Sequence, residues 1–144
     1  MTQVQKNRTI VTRLIEEAFN NRNISILPEI LHEEFVNHQD LFPISSKKGP
    51  VVFEELYTKM FESFPDIKIY NHKMLSDGDM VVIYDTLKGT NTGPMPNGQA
   101  ASGKIIEFET INILRIKDNK IIDRWGVADQ LTIMKQLGLI EQSD

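Results

Sequence analysis

At residue 67 the hydrophobic pattern of this 144-residue chain changes period, and that change restricts the fold more than any other feature. Before it, apolar residues recur at spacings of three and four. Ile10, Val11, Leu14, Ile15, Ala18 and Phe19 mark one face of a helix expected over residues 4–21, which Asn20-Asn21-Arg22-Asn23 stops. A short second helix places Pro28 in an early turn and buries Leu27, Ile30 and Leu31. A third starts at Gly49-Pro50, aligns Phe53, Leu56, Tyr57, Met60, Phe61 and Phe64 on one face, and ends at Pro65. After residue 67 the pattern alternates. Strands are expected over 67–75, 80–88, 103–117 and 121–128, with turns at Ser76-Asp77-Gly78-Asp79 and Lys117-Asp118-Asn119-Lys120. A last helix over 130–138 has Gly138 as its stop.

Helices followed by a meander of strands predict one α+β domain spanning 1–144, with a single curved sheet around or against the helices. Such a sheet leaves a pocket at its open end, because helices do not fill a cone completely. No run of about 18 apolar residues is present to span a bilayer, and the opening Met1-Thr2-Gln3-Val4-Gln5-Lys6 lacks the apolar core of a secretory signal, so a cytoplasmic protein is expected. The absence of cysteine excludes thiolate nucleophiles, disulfides and cysteine-ligated metals. A net charge of −4 with interspersed signs argues against a nucleic-acid surface. The histidines at 32, 38 and 72 are not at metal-site spacings, and no metal is expected. The glycine-rich loop from Gly89 to Gly98 lacks the spacing of a phosphate cradle.

The chemistry concentrates near the C-terminus. Trp125 and Asp129 are four apart on an alternating strand and therefore share a face. A carboxylate held beside a large aromatic surface is partly desolvated, which raises its pKa and suits it to proton transfer. The other reading makes Asp129 the N-cap of the last helix, bonded to amides near Leu131 and Thr132. On the second strand, Tyr84, Thr86 and Lys88 share one face, and Val81, Ile83, Asp85 and Leu87 share the other. One register puts Tyr84 in the pocket, and the opposite one puts it on an interface. Glu107 and Glu109 share a face that reads as charged outer surface.

The order of elements, together with Phe35-Val36-Asn37-His38, Phe64-Pro65-Asp66, Gly89-Thr90-x-x-Gly93, Gly103-Lys104, Arg115 to Ile121, and Trp125-x-x-x-Asp129 before Gln136-Leu137-Gly138, resembles the SnoaL-like polyketide cyclases. These belong to the nuclear transport factor 2-like superfamily, with the ketosteroid isomerases. The resemblance implies a cone-shaped α+β barrel of curved antiparallel sheet wrapped around N-terminal helices, an internal cavity, and a homodimer formed through the sheet face. It implies an intramolecular aldol closure of a hydrophobic carbonyl compound without metal or organic cofactor. By the same resemblance Asp129 is the acid/base, His38 a second acid/base or orienter, and Trp125 the aromatic wall. Asn37, Tyr57, Tyr84 and Asn91 complete the expected substrate contacts. Two positions depart from the family pattern: Asn91 stands where many members carry histidine, and Tyr84 where arginine is common. Asparagine carries no proton at neutral pH, so a relay through residue 91 is missing. Three function classes stay open: an acid/base enzyme, for which cyclisation, isomerisation and hydration share the same enolate logic, a binding module using the same cavity, and a dimeric interaction protein.

Overall fold

The computed structural model describes residues 1–141, His72 by its backbone only. Thr2 opens the first helix with a reciprocal cap: its hydroxyl accepts from the Gln5 amide at 3.1 Å, and the Gln5 side chain accepts from the Thr2 amide at 2.8 Å. Helix α1, Gln3–Arg13, then passes directly into a π-helical segment, Leu14–Asn20, so the expected first helix has a widened second half. That segment buries Leu14, Ile15, Ala18 and Phe19 together. Such widened turns recur where helices border functional sites. Asn20 fastens its end to the sheet, donating to the Ile69 carbonyl at 2.9 Å and accepting from the Ile69 amide at 2.8 Å.

Helix α2 is the single turn Leu27–Ile30, and it leads without a loop into strand β1, Leu31–Asn37. This strand is absent from the sequence expectation. Its buried residues Leu31 and Phe35 lie four apart with exposed Glu33 and Glu34 between them, a spacing that does not alternate. Helix α3, Val51–Ser63, buries Val52, Phe53, Leu56, Tyr57 and Met60. Strands β2, Lys68–Asp77, β3, Met80–Thr90, β4, Ile105–Lys117, and β5, Lys120–Ala128, follow close to their expected limits.

The five strands form one unclosed, curved sheet in the order β1-β5-β4-β3-β2. The four expected strands pair antiparallel throughout, and the unexpected β1 adds to their edge in parallel with β5. The inner face of β3 carries Val81, Ile83, Asp85 and Leu87, and that of β4 carries Ile106, Phe108, Thr110, Asn112, Leu114 and Ile116, all buried. Phe19, Leu27 and Ile30 from the helical segments and Phe35 from β1 complete the core at 1 % exposure or less. Each contributes roughly 1.5–3 kcal/mol through its burial.

One irregularity decides which side chains of β5 reach the interior. Leu114 pairs with Arg124 and Arg115 with Asp123, but Ile116 pairs with Ile121, leaving Ile122 as an extra residue on β5. A bulge of this kind shifts the alternation by one. Ile121 is fully buried, yet Arg124 and Ala128 rather than Asp123 and Trp125 continue the inner face.

Helix α4, Gln130–Gln136, closes the chain near the open end of the sheet. Gln136 ties it to β4, accepting from the Glu107 amide at 2.8 Å and donating to the Glu107 carbonyl at 3.0 Å. Gly138, at φ 74°, supplies the left-handed residue that ends it, as expected. Among the described residues, no helix is long and apolar enough to cross a membrane.

Candidate active site

A cavity of about 90 Å³ lies between the π-helical segment, α3 and the inner face of the sheet. Most of its wall is apolar, including Leu14, Phe19, Phe53, Ile83, Leu87 and Phe108. Its polar groups are few: Tyr57 from α3, Asp85 from β3, Thr110 and Asn112 from β4, and Arg124 from β5. This is the usual composition of a small-molecule site, an apolar enclosure with a few placed polar groups.

Asp85 is 1 % exposed, and its Oδ1 has no hydrogen-bond partner among the described residues. Burial penalises the charged form and pushes its carboxyl up to about 6. A buried polar atom left unsatisfied is uncommon and costly, and a carboxyl perturbed by burial in a cavity wall is a candidate functional group.

Arg124 is held in place by its neighbours. Nε and Nη2 donate to Asn112 Oδ1 at 3.0 and 2.7 Å, and Nη1 donates to Asn37 Oδ1 at 2.9 Å and to the Gln39 carbonyl at 2.6 Å. A guanidinium has five N–H groups, so one hydrogen of Nη2 has no partner among the described residues. Burial lowers its pKa while Tyr57 and Asp40 oppose that shift, and it stays cationic at neutral pH. Asn112 in turn donates to Thr110 Oγ1 at 3.2 Å, which leaves the Thr110 hydroxyl hydrogen available. Burial pushes the Tyr57 phenol well above its ordinary value, so it acts only as a neutral donor. The same phenol feels the charges of both Arg124 and Asp85. On its outer side Arg124 borders a surface depression with Gln39, Asp40, Gly126 and Gln130.

Of the residues expected at the site, Tyr57 lines the cavity and Asn37 stands behind Arg124, bonded also to Asp40 Oδ1 at 2.6 Å. The others lie elsewhere. Trp125 is turned to the outer face by the bulge, where the His38 ring stacks on it with centroids 4.7 Å apart and Arg115 lies over it at 5.3 Å. His38 Nε2 also meets Asp123 Oδ1 at 2.9 Å, outside the cavity lining. Asp129 is exposed and caps α4: Oδ1 accepts from the Thr132 amide at 3.1 Å and Oδ2 from the Thr132 hydroxyl at 2.6 Å. Those bonds hold its carboxyl below the usual range.

Tyr84 follows the second register, sharing the outer face with Glu109, which raises its phenol. Asn91 is 1 % exposed, and its bonds are internal to the chain. It donates to the Ser63 and Gly93 carbonyls at 3.0 and 2.9 Å and accepts from the Ser102 amide and hydroxyl at 2.9 and 2.8 Å. Its place is to pin the loop after β3. Among the described residues no cluster of three or more His, Cys, Asp or Glu is arranged to hold a metal.

Asp85, Arg124, Thr110 and Asn112 are absent from the sequence expectation. For Asp85 the signal was present: it shares its strand face with Val81, Ile83 and Leu87, and three apolar partners identify that face as buried. Arg124 had no such signal, because the bulge that turns it inward is not visible in the residue pattern.

Comparison with known proteins agrees with this architecture. The chain is 28% identical over 130 residues to the aklanonic acid methyl ester cyclase DnrD of Streptomyces peucetius, covering 90% of this chain and 88% of that one. It superimposes on TsrD from Streptomyces laurentii with a TM-score of 0.83 at 21% identity, covering 97% of this chain and 100% of that one. AclR from Streptomyces galilaeus gives 0.83 at 18% identity, covering 99% of this chain and 87% of that one. At such identities the two structures speak for the fold alone. Residues 9–137 match the family model of the SnoaL-like polyketide cyclases, and the chain belongs to that family.

Proposed function

We propose that this protein is a cofactor-independent acid/base enzyme of the polyketide cyclase type, acting on a hydrophobic carbonyl-containing small molecule, with Asp85 as the proton-transfer group. The observation that carries the reading is the unpartnered, buried Oδ1 of Asp85 on the wall of a mostly apolar cavity. A carboxyl with a pKa about 6 is mostly ionised at pH 7 and still close enough to it to hold and return a proton.

The chemistry follows from the donors around it. A substrate carbonyl oxygen accepts from the Tyr57 hydroxyl and the spare N–H of Arg124, which stabilises negative charge developing on that oxygen. Asp85 takes a proton from the adjacent carbon, giving an enolate. For ring closure, the enolate carbon bonds to a second carbonyl carbon, whose π pair becomes an alkoxide. The alkoxide then takes the proton back from Asp85. Isomerisation shares the first step and returns the proton to a different carbon. The cyclase name of the Streptomyces peucetius relative supports ring closure within this set.

The test is independent of the natural substrate. Deuterium uptake next to the carbonyl of a cyclic ketone in D₂O should be accelerated by the wild type, abolished by Asp85→Asn and retained by Asp129→Asn. Uptake that survives Asp85→Asn and disappears with Asp129→Asn would reject Asp85 and return the role to the carboxylate implied by the resemblance.

The outer sheet face supports a homodimer. Ile111 and Val127 pair across β4 and β5 at 47% and 68% exposure, beside Ile113. Sedimentation equilibrium should give a dimer that Val127→Glu dissociates. A monomeric wild type would reject it.

A further inference from the structure

The inner cavity of about 90 Å³ is small for an organic substrate, since pockets that enclose drug-sized ligands begin near 300 Å³. A second pocket of about 210 Å³ adjoins it, and Leu41, Met60 and Phe108 form walls of both. The two differ in chemistry. Among the described residues all the ionisable side chains belong to the first, whereas the second is lined by Phe42, Phe64, Met95, Ile133, Met134 and Leu137 among others, with Gln130 as its one polar side chain.

The two boundaries of the second pocket are built differently. On one side Asn91 holds the loop after β3 rigidly, and its Nδ2 lies 3.6 Å from the Met95 sulfur. Ser63 Oγ donates to the Pro94 carbonyl at 2.8 Å, and Gly93 approaches so closely that an added Cβ would overlap the Glu62 carbonyl oxygen. The opposite side is α4, a helix with no fully buried residue. Methionines from three separate elements, Met60, Met95 and Met134, meet here, and their unbranched side chains adapt to ligand shape.

We propose that the second pocket holds the hydrocarbon part of the same substrate whose carbonyl reaches Asp85, so the substrate class is an elongated molecule with an enolisable carbonyl at one end and an uncharged apolar body at the other. The occupant is fixed by the shared walls, by an inner cavity too small to enclose such a molecule alone, and by the division of ionisable and apolar linings. This inference rests on the reading of Asp85 given above.

The test uses wild-type protein labelled with carbon-13 at the methionine methyls and at the aspartate carboxyls. It is titrated with methyl ketones of increasing chain length, from acetone to methyl octyl ketone. The longer ketones should shift the methyls of Met60, Met95 and Met134 and the Asp85 carboxyl together. Their Kd should fall about fourfold per added methylene until the pocket is full. Met134→Trp, at a partly exposed position, should weaken the long ketones and leave acetone unchanged. Movement of Asp85 without Met95 or Met134 overturns the second compartment and leaves the Asp85 reading standing. Movement of the methionines without Asp85 overturns the head-and-tail arrangement and that reading with it. No saturable shift at any of these positions overturns both.

Discussion

Leu114 on β4 faces Arg124 on β5, and that pairing, set by the extra residue Ile122, turns a cation into the interior and an indole out of it. Without the bulge, Trp125 and Asp129 would share the inner face with Ile121. With it, the cavity receives Arg124 as well as Asp85 from β3, and the tryptophan becomes part of an outer cluster with His38, Asp123 and Arg115. A one-residue shift therefore exchanges the chemistry available to the two faces.

Asp85→Asn should stabilise the protein at neutral pH while removing its activity. Burial moves the carboxyl from 3.8 to about 6, so ionisation opposes folding. Below about pH 4 both folded and unfolded forms are protonated and the penalty is absent; it grows as pH rises to about 6 and is complete above that. Urea unfolding of the two proteins should differ by roughly 2–3 kcal/mol near pH 8 and converge near pH 4. A gap that does not change with pH would contradict the assignment.

Turnover should follow the same ionisation. A base must be unprotonated to act, so activity is expected to rise through a pH about 6 and level off above it. In the D₂O exchange assay, a rate that keeps falling as pH rises through this range would assign Asp85 a different role.

Tyr57→Phe keeps the ring that packs against Phe19 and Phe53 at centroid distances of 5.0 Å and removes only the hydroxyl. Circular dichroism should show an unchanged fold. Loss of one donor to a developing oxyanion is expected to slow exchange about 10²-fold. Equal rates for the two proteins would remove Tyr57 from the mechanism.

Asp129→Asn should preserve both melting temperature and activity, because asparagine caps a helix about as well as aspartate. Asp129→Ala should lower the melting temperature, since the Thr132 amide then loses its acceptor. If the asparagine variant melts like the alanine variant, the charge rather than the cap is what α4 requires.

Gly93→Ala tests the rigid wall of the second pocket. Its Cβ would overlap the Glu62 carbonyl oxygen, and a backbone atom cannot give way as a flexible side chain would. Overpacking of this kind costs about 1–3 kcal/mol. Melting within a degree of the wild type would mean that the loop after β3 is free to move away.

The parts of the fold legible in the residues are those with a clean period. Helix α3 and the long strands β3 and β4 lie near their expected bounds because each buries one mostly apolar face at a regular period, and the turn at Gly78 sets β2 against β3. Strand β1 was not legible, since Leu31 and Phe35 are spaced like neighbours on a helix and the strand depends on its partner β5. The site divides the same way. Asp85 stands among Val81, Ile83 and Leu87 on a face that must be buried, so its position follows from alternation alone. Arg124 and Trp125 depend on a bulge set by inter-strand pairing, and Asn91 depends on a loop folding back onto Ser63. Tertiary contacts of that kind leave no periodic trace.

The most direct test of the account is the titration of the Asp85 carboxyl carbon by NMR in the wild-type protein, with Asp85→Asn to assign the signal. A pKa about 6 is expected, from a carboxyl desolvated on the cavity wall and available to exchange protons. A value near 4 or below would mean a carboxylate that is solvated or bonded elsewhere, and would contradict its role as the base.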